Sequence, residues 1–235
     1  MEDSLYIVMP AYNEEANIES VVKEWHEVVE KVGPSSRLVV VNDGSKDNTY
    51  NKLLELAKTY PQLEPLTKAN SGHGATLLYA YNYAVDKKAD YIFQTDSDGQ
   101  TLPSEFWPFW EDRKLYDAII GHRNHREDGF SRIVVTKVLK LVIRLTFGVS
   151  VTDANTPFRL MPRRILEKYL PKIPKDFNLS NVVLSVLLVK NKDNVKFVPI
   201  TFRPRQGGVN SINLKRIFKI GAQAVKDFRQ LRKTI

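Results

Sequence analysis

The residues best suited to chemistry are Asp96 and Asp98, two carboxylates separated by one serine, directly after the apolar run Tyr91-Ile92-Phe93-Gln94-Thr95. At the end of a strand, carboxylates two residues apart can aim at a common centre. Mg²⁺ and Mn²⁺ prefer oxygen ligands, and Mg²⁺ is often held by one or two carboxylates plus the phosphates of a substrate. The triplet therefore predicts a divalent cation bridging protein and diphosphate, where it acts as a Lewis acid on a leaving phosphate. A solvated Asp-Ser-Asp-Gly turn has the same letters, so the reading needs support from elsewhere in the chain.

Two further polar clusters follow apolar runs. Asn42-Asp43-Gly44-Ser45 comes after Leu38-Val39-Val40-Val41, and Pro10-Ala11-Tyr12-Asn13-Glu14 comes after Leu5-Tyr6-Ile7-Val8-Met9. Asp43 can accept hydrogen bonds from a nucleobase or a ribose. Ser45 or Asp47 can equally cap a helix, and Asn13 or Glu14 can begin one, since Glu favours the positive helix end. Arg123, Arg126 and Arg132 could grip phosphate through two-pronged guanidinium contacts, although Glu127 and Asp128 lie among them. His73, between Gly72 and Gly74, belongs to no zinc-ligand spacing such as His-Glu-x-x-His.

The elements that must position these residues alternate. Strands are predicted at 5–9, 38–41, 63–66, 90–95 and 118–120. Helices are predicted over 14–32, 47–60 and 74–87, with another opened by Pro103. Gly33-Pro34 stops the first helix. This alternation implies an α/β fold with a mostly parallel sheet flanked by helices. In such sheets ligands sit beyond the carboxyl ends of the strands, where all three clusters fall. The second half reads as apolar helices at 131–147 and 178–190, a strand over 195–202, and a last helix over 213–233. Lys137, Lys140 and Arg144, three and four residues apart, share one side of the first of these helices.

The chain has 235 residues, of which 43% are hydrophobic and 26% charged, a composition that excludes a wholly disordered chain. It has no cysteine, which removes disulfides, thiolate metal sites and cysteine nucleophiles and favours a cytoplasmic location. The formal charge of +8 is concentrated: from Arg203 onward nine basic residues face a single acid, Asp227. The final helix sets Leu214, Ile217, Phe218, Gly221, Val225, Phe228 and Leu231 in one stripe, with cations over much of the remainder. Such a helix either lies on an anionic membrane interface or docks its stripe on the domain. With the helix at 131–147 it would make a lipid-facing surface. The Met1-Glu2-Asp3 start and the short apolar run after it do not form a signal peptide. No run reaches the ~20 apolar residues of a membrane span. The expected organisation is a catalytic domain over 1–212 and a basic amphipathic helix over 213–235.

Met9-Pro10-Ala11-Tyr12-Asn13-Glu14-Glu15, Val41-Asn42-Asp43-Gly44-Ser45 and Asp96-Ser97-Asp98 together resemble the family 2 glycosyltransferases of GT-A fold in order and spacing. Gly121-His122-Arg123, Arg132, Asp153-Ala154-Asn155-Thr156-Pro157-Phe158-Arg159 and Arg205-Gln206-Gly207-Gly208 extend the resemblance to the dolichol- and polyprenyl-phosphate sugar synthases. The resemblance implies an inverting transfer from a UDP- or GDP-sugar. Pro10, Ala11, Tyr12 and Glu14 would line the nucleotide pocket, and Asp43 would bind the base. Asp96 would take the ribose or the metal side of the nucleotide. Asp98 would be the principal ligand of Mg²⁺ or Mn²⁺, with Gln100 near sugar or metal. Arg123 and Arg132 would face the acceptor phosphate, and Arg159 and Arg205 would bind phosphate oxygens. Asp153 would be a general base toward a sugar hydroxyl, or an orienting group if the acceptor is a phosphate.

This sequence departs from the pattern in two places. Asn42 stands where the subgroup often has aspartate, and Thr156-Pro157 stands where it often has Ser-Gly. Proline cannot adopt positive φ and donates no backbone hydrogen bond. The expected acceptor is a polyprenyl phosphate at the cytoplasmic membrane face, with an anionic membrane surface as partner. The rival acceptor is a sugar hydroxyl of a growing glycan. A sugar-phosphate nucleotidyltransferase would need a Gly-rich, Arg-containing loop where Pro10-Ala11-Tyr12-Asn13 stands. A nucleic-acid-binding role for the basic tail lacks a recognition helix or an aromatic sheet motif.

Overall fold

The computed structural model describes residues 3–123 and 130–204, together with Val225, residues 227–229 and Leu231; over 130–136 it describes the backbone. Seven strands form one sheet: β1 (Leu5–Ala11), β2 (Arg37–Asp43), β3 (Leu63–Lys68), β4 (Tyr91–Gln94), β5 (Ala118–Arg123), β6 (Arg159–Pro162) and β7 (Val195–Ile200). Their order across the sheet is β3-β2-β1-β4-β6-β5-β7. The helices are α1 (Ile18–Val32), α2 (Thr49–Thr59), α3 (His73–Asp86), α4 (Trp107–Glu111), α5 (Phe130–Phe147), α6 (Arg163–Tyr169) and α7 (Ser180–Lys190).

Strands β1 to β4 run parallel, while β6 runs antiparallel to both of its neighbours, β4 and β5. Two reversals restore the direction, so β5 and its parallel partner β7 point the same way as β1. The carboxyl ends of six strands therefore share one edge with the amino end of β6. That edge collects residues 10–14, 43–45, 68–73, 95–100, 123, 153–159 and 201–203.

The helices cover both faces because the central strands are apolar on both. All seven residues of β1 are buried. Alternate side chains go to opposite sides: Tyr6 and Val8 join the core beneath α3, α6 and α7, and Leu5, Ile7 and Met9 join the core beneath α1 and α4. The second core holds an aromatic nest, with Phe93 edge-on to Phe106, Phe109 and Phe158 and Trp25 at 5.5 Å from Phe93.

Three details depart from the sequence expectations. The helix expected from 14 begins at Ile18, after a turn in which the Asn17 and Ile18 N–H groups donate to the Glu14 carbonyl. The strand expected to reach 202 ends at Ile200, where the chain turns back toward the 99–101 loop. Neither β6 nor α6 was expected. In the tail, Phe228 and Leu231 are buried in the first core, and the Phe228 ring lies 5.5 Å from Phe147 and 6.2 Å from Phe177. At these residues the apolar stripe docks on the domain. The rest of the expected 213–233 helix and the boundary at 212 lie outside the described residues.

Candidate active site

The turn after β4 is fixed before any ligand arrives. Ser97, between the two carboxylates, is buried, and its hydroxyl donates to the Pro10 carbonyl at 2.8 Å, tying the turn to the end of β1. Asp96 and Asp98 are half-buried. Gly99 takes φ +72°, which turns the chain, and the Gln100 N–H donates to Asp98 Oδ1 at 3.1 Å. Arg203, arriving from the end of β7, clamps the far side. Its guanidinium donates to the carbonyls of Gly99 and Thr101 and to Glu24, its N–H donates to the Gln100 carbonyl, and its own carbonyl accepts from Gln100 Nε2. Gln100 thus lies beside Asp98, with its side-chain amide held by Arg203.

The loops after β1 and β2 are zipped together. The Asn13 N–H donates to Ser45 Oγ, Asn13 Oδ1 accepts from the Lys46 N–H, and the Glu14 N–H donates to Thr49 Oγ1. Pro10, Ala11 and Glu14 are buried in this junction, and Tyr12 keeps 43% of its surface exposed. Glu14 accepts from Asn17 Nδ2 at 2.8 Å.

Asp43 is held in place by its own chain. Its side chain is only 5% exposed, and it accepts from Lys68 Nζ and from the N–H groups of Ser71 and Gly72. Burial pushes the carboxyl pKa up, but the Lys68 ammonium and the backbone N–H of Ser71 outweigh it, so Asp43 titrates below the ordinary carboxylate range. The carboxylate expected to bind the base thus also holds the 68–72 segment as a wall beside the end of β2. Gly44 at φ +63° completes this wall, where a Cβ would come within 2.8 Å of the Asn70 nitrogen.

His73, the first residue of α3, reaches across to Asp96 with Nε2 at 3.1 Å from Oδ1. Gly74 behind it has no room for a side chain: a Cβ there would lie 2.3 Å from the Asn178 carbonyl oxygen. Desolvation lowers the His73 pKa, but the charge of Asp96, its hydrogen bond, and Asp98 and Asp43 beyond it raise it more, leaving the imidazole above its ordinary value. The stability this contact contributes is full below the unfolded histidine pKa and fades as pH rises through the higher folded value. We expect the His73 ring protons to titrate above pH ~6.5 in an NMR series. In Asp96→Asn the midpoint should fall; an unmoved midpoint would dissolve the pairing.

On the other side of the edge, Arg123 ends β5, with its guanidinium 4.3 Å from the centre of the Phe202 ring. Arg126, Arg205 and the Arg132 side chain lie outside the described residues. Arg159 is likewise held by its own chain. It is fully buried, and its nitrogens donate to the carbonyls of Ala154, Thr156 and Asn181 and to Ser185 Oγ. It supports the 153–156 loop from beneath. Asp153, in that loop, is 7% exposed and lies 3.4 Å from Thr156 Oγ1.

No group of three or more metal-ligating side chains exists among the described residues. Asp96 and Asp98 nevertheless suit a hard cation, being two oxygen donors on one rigid turn. Such a cation takes its remaining ligands from substrate phosphates and water. Lys68, Ser71, Ser97 and Arg203 were not expected in the site. Lys68 and Ser71 had a signal, since the polar run 67–73 follows a predicted strand. Ser97 and Arg203 had none, because their partners are distant in sequence.

A mostly parallel sheet with carboxylates on the turn after its fourth strand, and a reversed strand beyond, matches the GT-A fold. The chain belongs to glycosyl transferase family 2, whose profile matches residues 6–170. A polyprenol monophosphomannose synthase of Mycolicibacterium smegmatis is 26% identical over 94% of this chain and 86% of its own length. A UDP-N-acetylglucosamine–dolichyl-phosphate N-acetylglucosaminyltransferase of Methanococcus voltae is 28% identical over 85% and 86%. An undecaprenyl-phosphate 4-deoxy-4-formamido-L-arabinose transferase of Shewanella sediminis is 26% identical over 72% of this chain, which spans about half (51%) of that relative. Among solved structures, glucosyl-3-phosphoglycerate synthase of Mycobacterium tuberculosis in complex with Mn²⁺, UDP-glucose and phosphoglyceric acid superposes with a TM-score of 0.72, at 18% identity over 99% of this chain and 81% of that one. This last likeness is one of fold. No helix among the described residues is long and apolar enough to cross a membrane.

Proposed function

We propose that this chain transfers a sugar from a UDP- or GDP-sugar to the phosphate of a polyprenyl phosphate, inverting the anomeric centre. The observation that carries the reading is the convergence of Asp43, Asp96, Asp98 and Arg123 on one sheet edge. The names of the relatives aligned over most of their length support the acceptor class. An acceptor phosphate oxygen attacks the anomeric carbon as the bond to the diphosphate breaks, and the nucleoside diphosphate leaves with the electron pair. Asp96 and Asp98 would hold Mg²⁺ or Mn²⁺, which supplies charge stabilisation to the leaving diphosphate. Pro10, Ala11, Tyr12 and Glu14 shape the nucleotide pocket, and Asp43 with Lys68 holds its wall. Arg123, Arg132 and Arg205 serve the phosphates. We place the reaction at the cytoplasmic face of a membrane, where the lipid acceptor is presented.

The burial of Asp153 favours a phosphate over a sugar hydroxyl. A phosphate oxygen is already anionic and needs no base, whereas a hydroxyl needs an accessible one. Transfer to a short-chain polyprenyl phosphate should survive in Asp153→Asn, while Arg132→Ala should mainly raise the acceptor KM. A wild type inactive on polyprenyl phosphates but active on an oligosaccharide would overturn the acceptor, above all if Asp153→Asn then loses ~10²–10⁴-fold in rate.

A further inference from the structure

Residues 201–203 leave β7 and touch two separate parts of the site edge. The Thr201 N–H donates to both carboxylate oxygens of Glu105 at 3.0 Å. Arg203 clasps the turn that follows β4, donating to the carbonyls of Gly99, Gln100 and Thr101. Phe202 is therefore pinned through both of its neighbours. Its ring packs against the second core and carries the Arg123 guanidinium over its face, 4.3 Å from the ring centre. The strand register brings the two together: β5 and β7 run parallel with Arg123 opposite Ile200, two residues before Phe202. An aromatic face attracts a guanidinium through its quadrupole. Unlike a carboxylate, it offers no oxygen to occupy the N–H fork, the part of an arginine that grips a phosphate. The ring orients the cation and leaves its charge in place.

We infer that Phe202 is a positioning residue for Arg123, and that the 201–203 strap fixes this arginine relative to the turn that carries Asp96 and Asp98. The inference deepens the lipid-phosphate reading and rests on it for the identity of the acceptor. On that reading one three-residue segment holds both sides of the transfer. Arg203 steadies the turn that meets the leaving diphosphate, and Phe202 steadies the arginine that meets the attacking phosphate. Orientation of this kind acts before any bond changes, so its loss is felt in acceptor binding.

The test is steady-state transfer by the full chain to a short-chain polyprenyl phosphate, with acceptor and donor KM measured separately. Phe202→Leu keeps an apolar side chain against the core and removes the aromatic face. Its acceptor KM should rise about 3–10-fold, the span of a half-buried cation–π contact, while kcat and donor KM stay within about twofold. Phe202→Tyr keeps the face and should restore the acceptor KM. Arg123→Ala should raise it about 10–100-fold through lost charged hydrogen bonds. Phe202→Leu added to Arg123→Ala should cost nothing further, because a residue that acts only through Arg123 then has nothing to act on. In an NMR spectrum the Arg123 side-chain protons should be shifted upfield by the ring in the wild type and in Phe202→Tyr, and not in Phe202→Leu. An unchanged acceptor KM in Phe202→Leu would overturn the inference. So would a tyrosine variant as impaired as the leucine one, or a further rise in the double variant. If the wild type transfers nothing to polyprenyl phosphate, the proposed function fails and the NMR shifts decide the inference: upfield shifts lost only in Phe202→Leu uphold it, and their absence from the wild type removes it.

Discussion

Asp98→Asn should lower turnover by about 10²–10³-fold, the loss seen when one preorganised electrostatic contact to a developing charge, worth ~3–4 kcal/mol, is removed. The fold should be nearly indifferent. Asp98 is half-buried on a turn, and the asparagine oxygen can still accept the Gln100 N–H that now bonds to Asp98 Oδ1. Calorimetry should find nucleoside diphosphate affinity unchanged in EDTA and reduced in Mn²⁺, since what is lost is the bridge between carboxylate and diphosphate. Full activity of the variant, or of the wild type in EDTA, would remove the cation from the mechanism.

Arg159→Met should be the most damaging single change to stability, at about 3–5 kcal/mol. Methionine fills a comparable volume but donates nothing. The Thr156 carbonyl, which accepts from both Nε and Nη2 of Arg159, would be left buried and unsatisfied, and the bonds to Ala154, Asn181 and Ser185 would go with it. An orphaned buried acceptor costs ~1–3 kcal/mol, and each lost hydrogen bond from a charged donor ~1.5–3, not fully additively. A urea titration reads the difference directly. If the guanidinium instead gripped a ligand phosphate, the urea midpoint would hold and only KM would rise.

The contrast between these two residues shows what the sequence made legible. Asp96 and Asp98 are readable because they lie within three residues of each other, straight after an apolar strand. Strand direction alone delivers them to the edge where ligands bind. The same local logic predicts β1, β2, α1 and α3. It cannot predict β6, a four-residue strand that begins with a buried arginine and ends in proline, Arg159-Leu160-Met161-Pro162. Its antiparallel pairing with β4 and β5 depends on partners tens of residues away. Arg159 and Arg203 show the same limit. An arginine bound to loop carbonyls and an arginine bound to a phosphate are the same letter, and only the folded chain decides which acceptor it meets. Asp43 shows it more subtly: its place at the end of β2 is legible, whereas the hold of Lys68 and of the amides of Ser71 and Gly72 on its carboxylate is not.

The clamp that Arg203 places on residues 99–101 and Glu24 also sets an order of events during synthesis. The turn carrying Asp98 leaves the ribosome about 100 residues before Arg203, roughly 5–20 s earlier at ordinary elongation rates. During that interval β1 to β4 can pair with one another, because all four are already made. The turn that ends β4 has its link to β1 through Ser97 but still lacks the clasp on its outer side. A nascent chain therefore holds the sheet before it holds a clasped turn. The turn carrying Asp96 and Asp98 is locked only when β7 is in place and residues 201–203 fold back over it, making that clasp one of the last features the growing chain acquires.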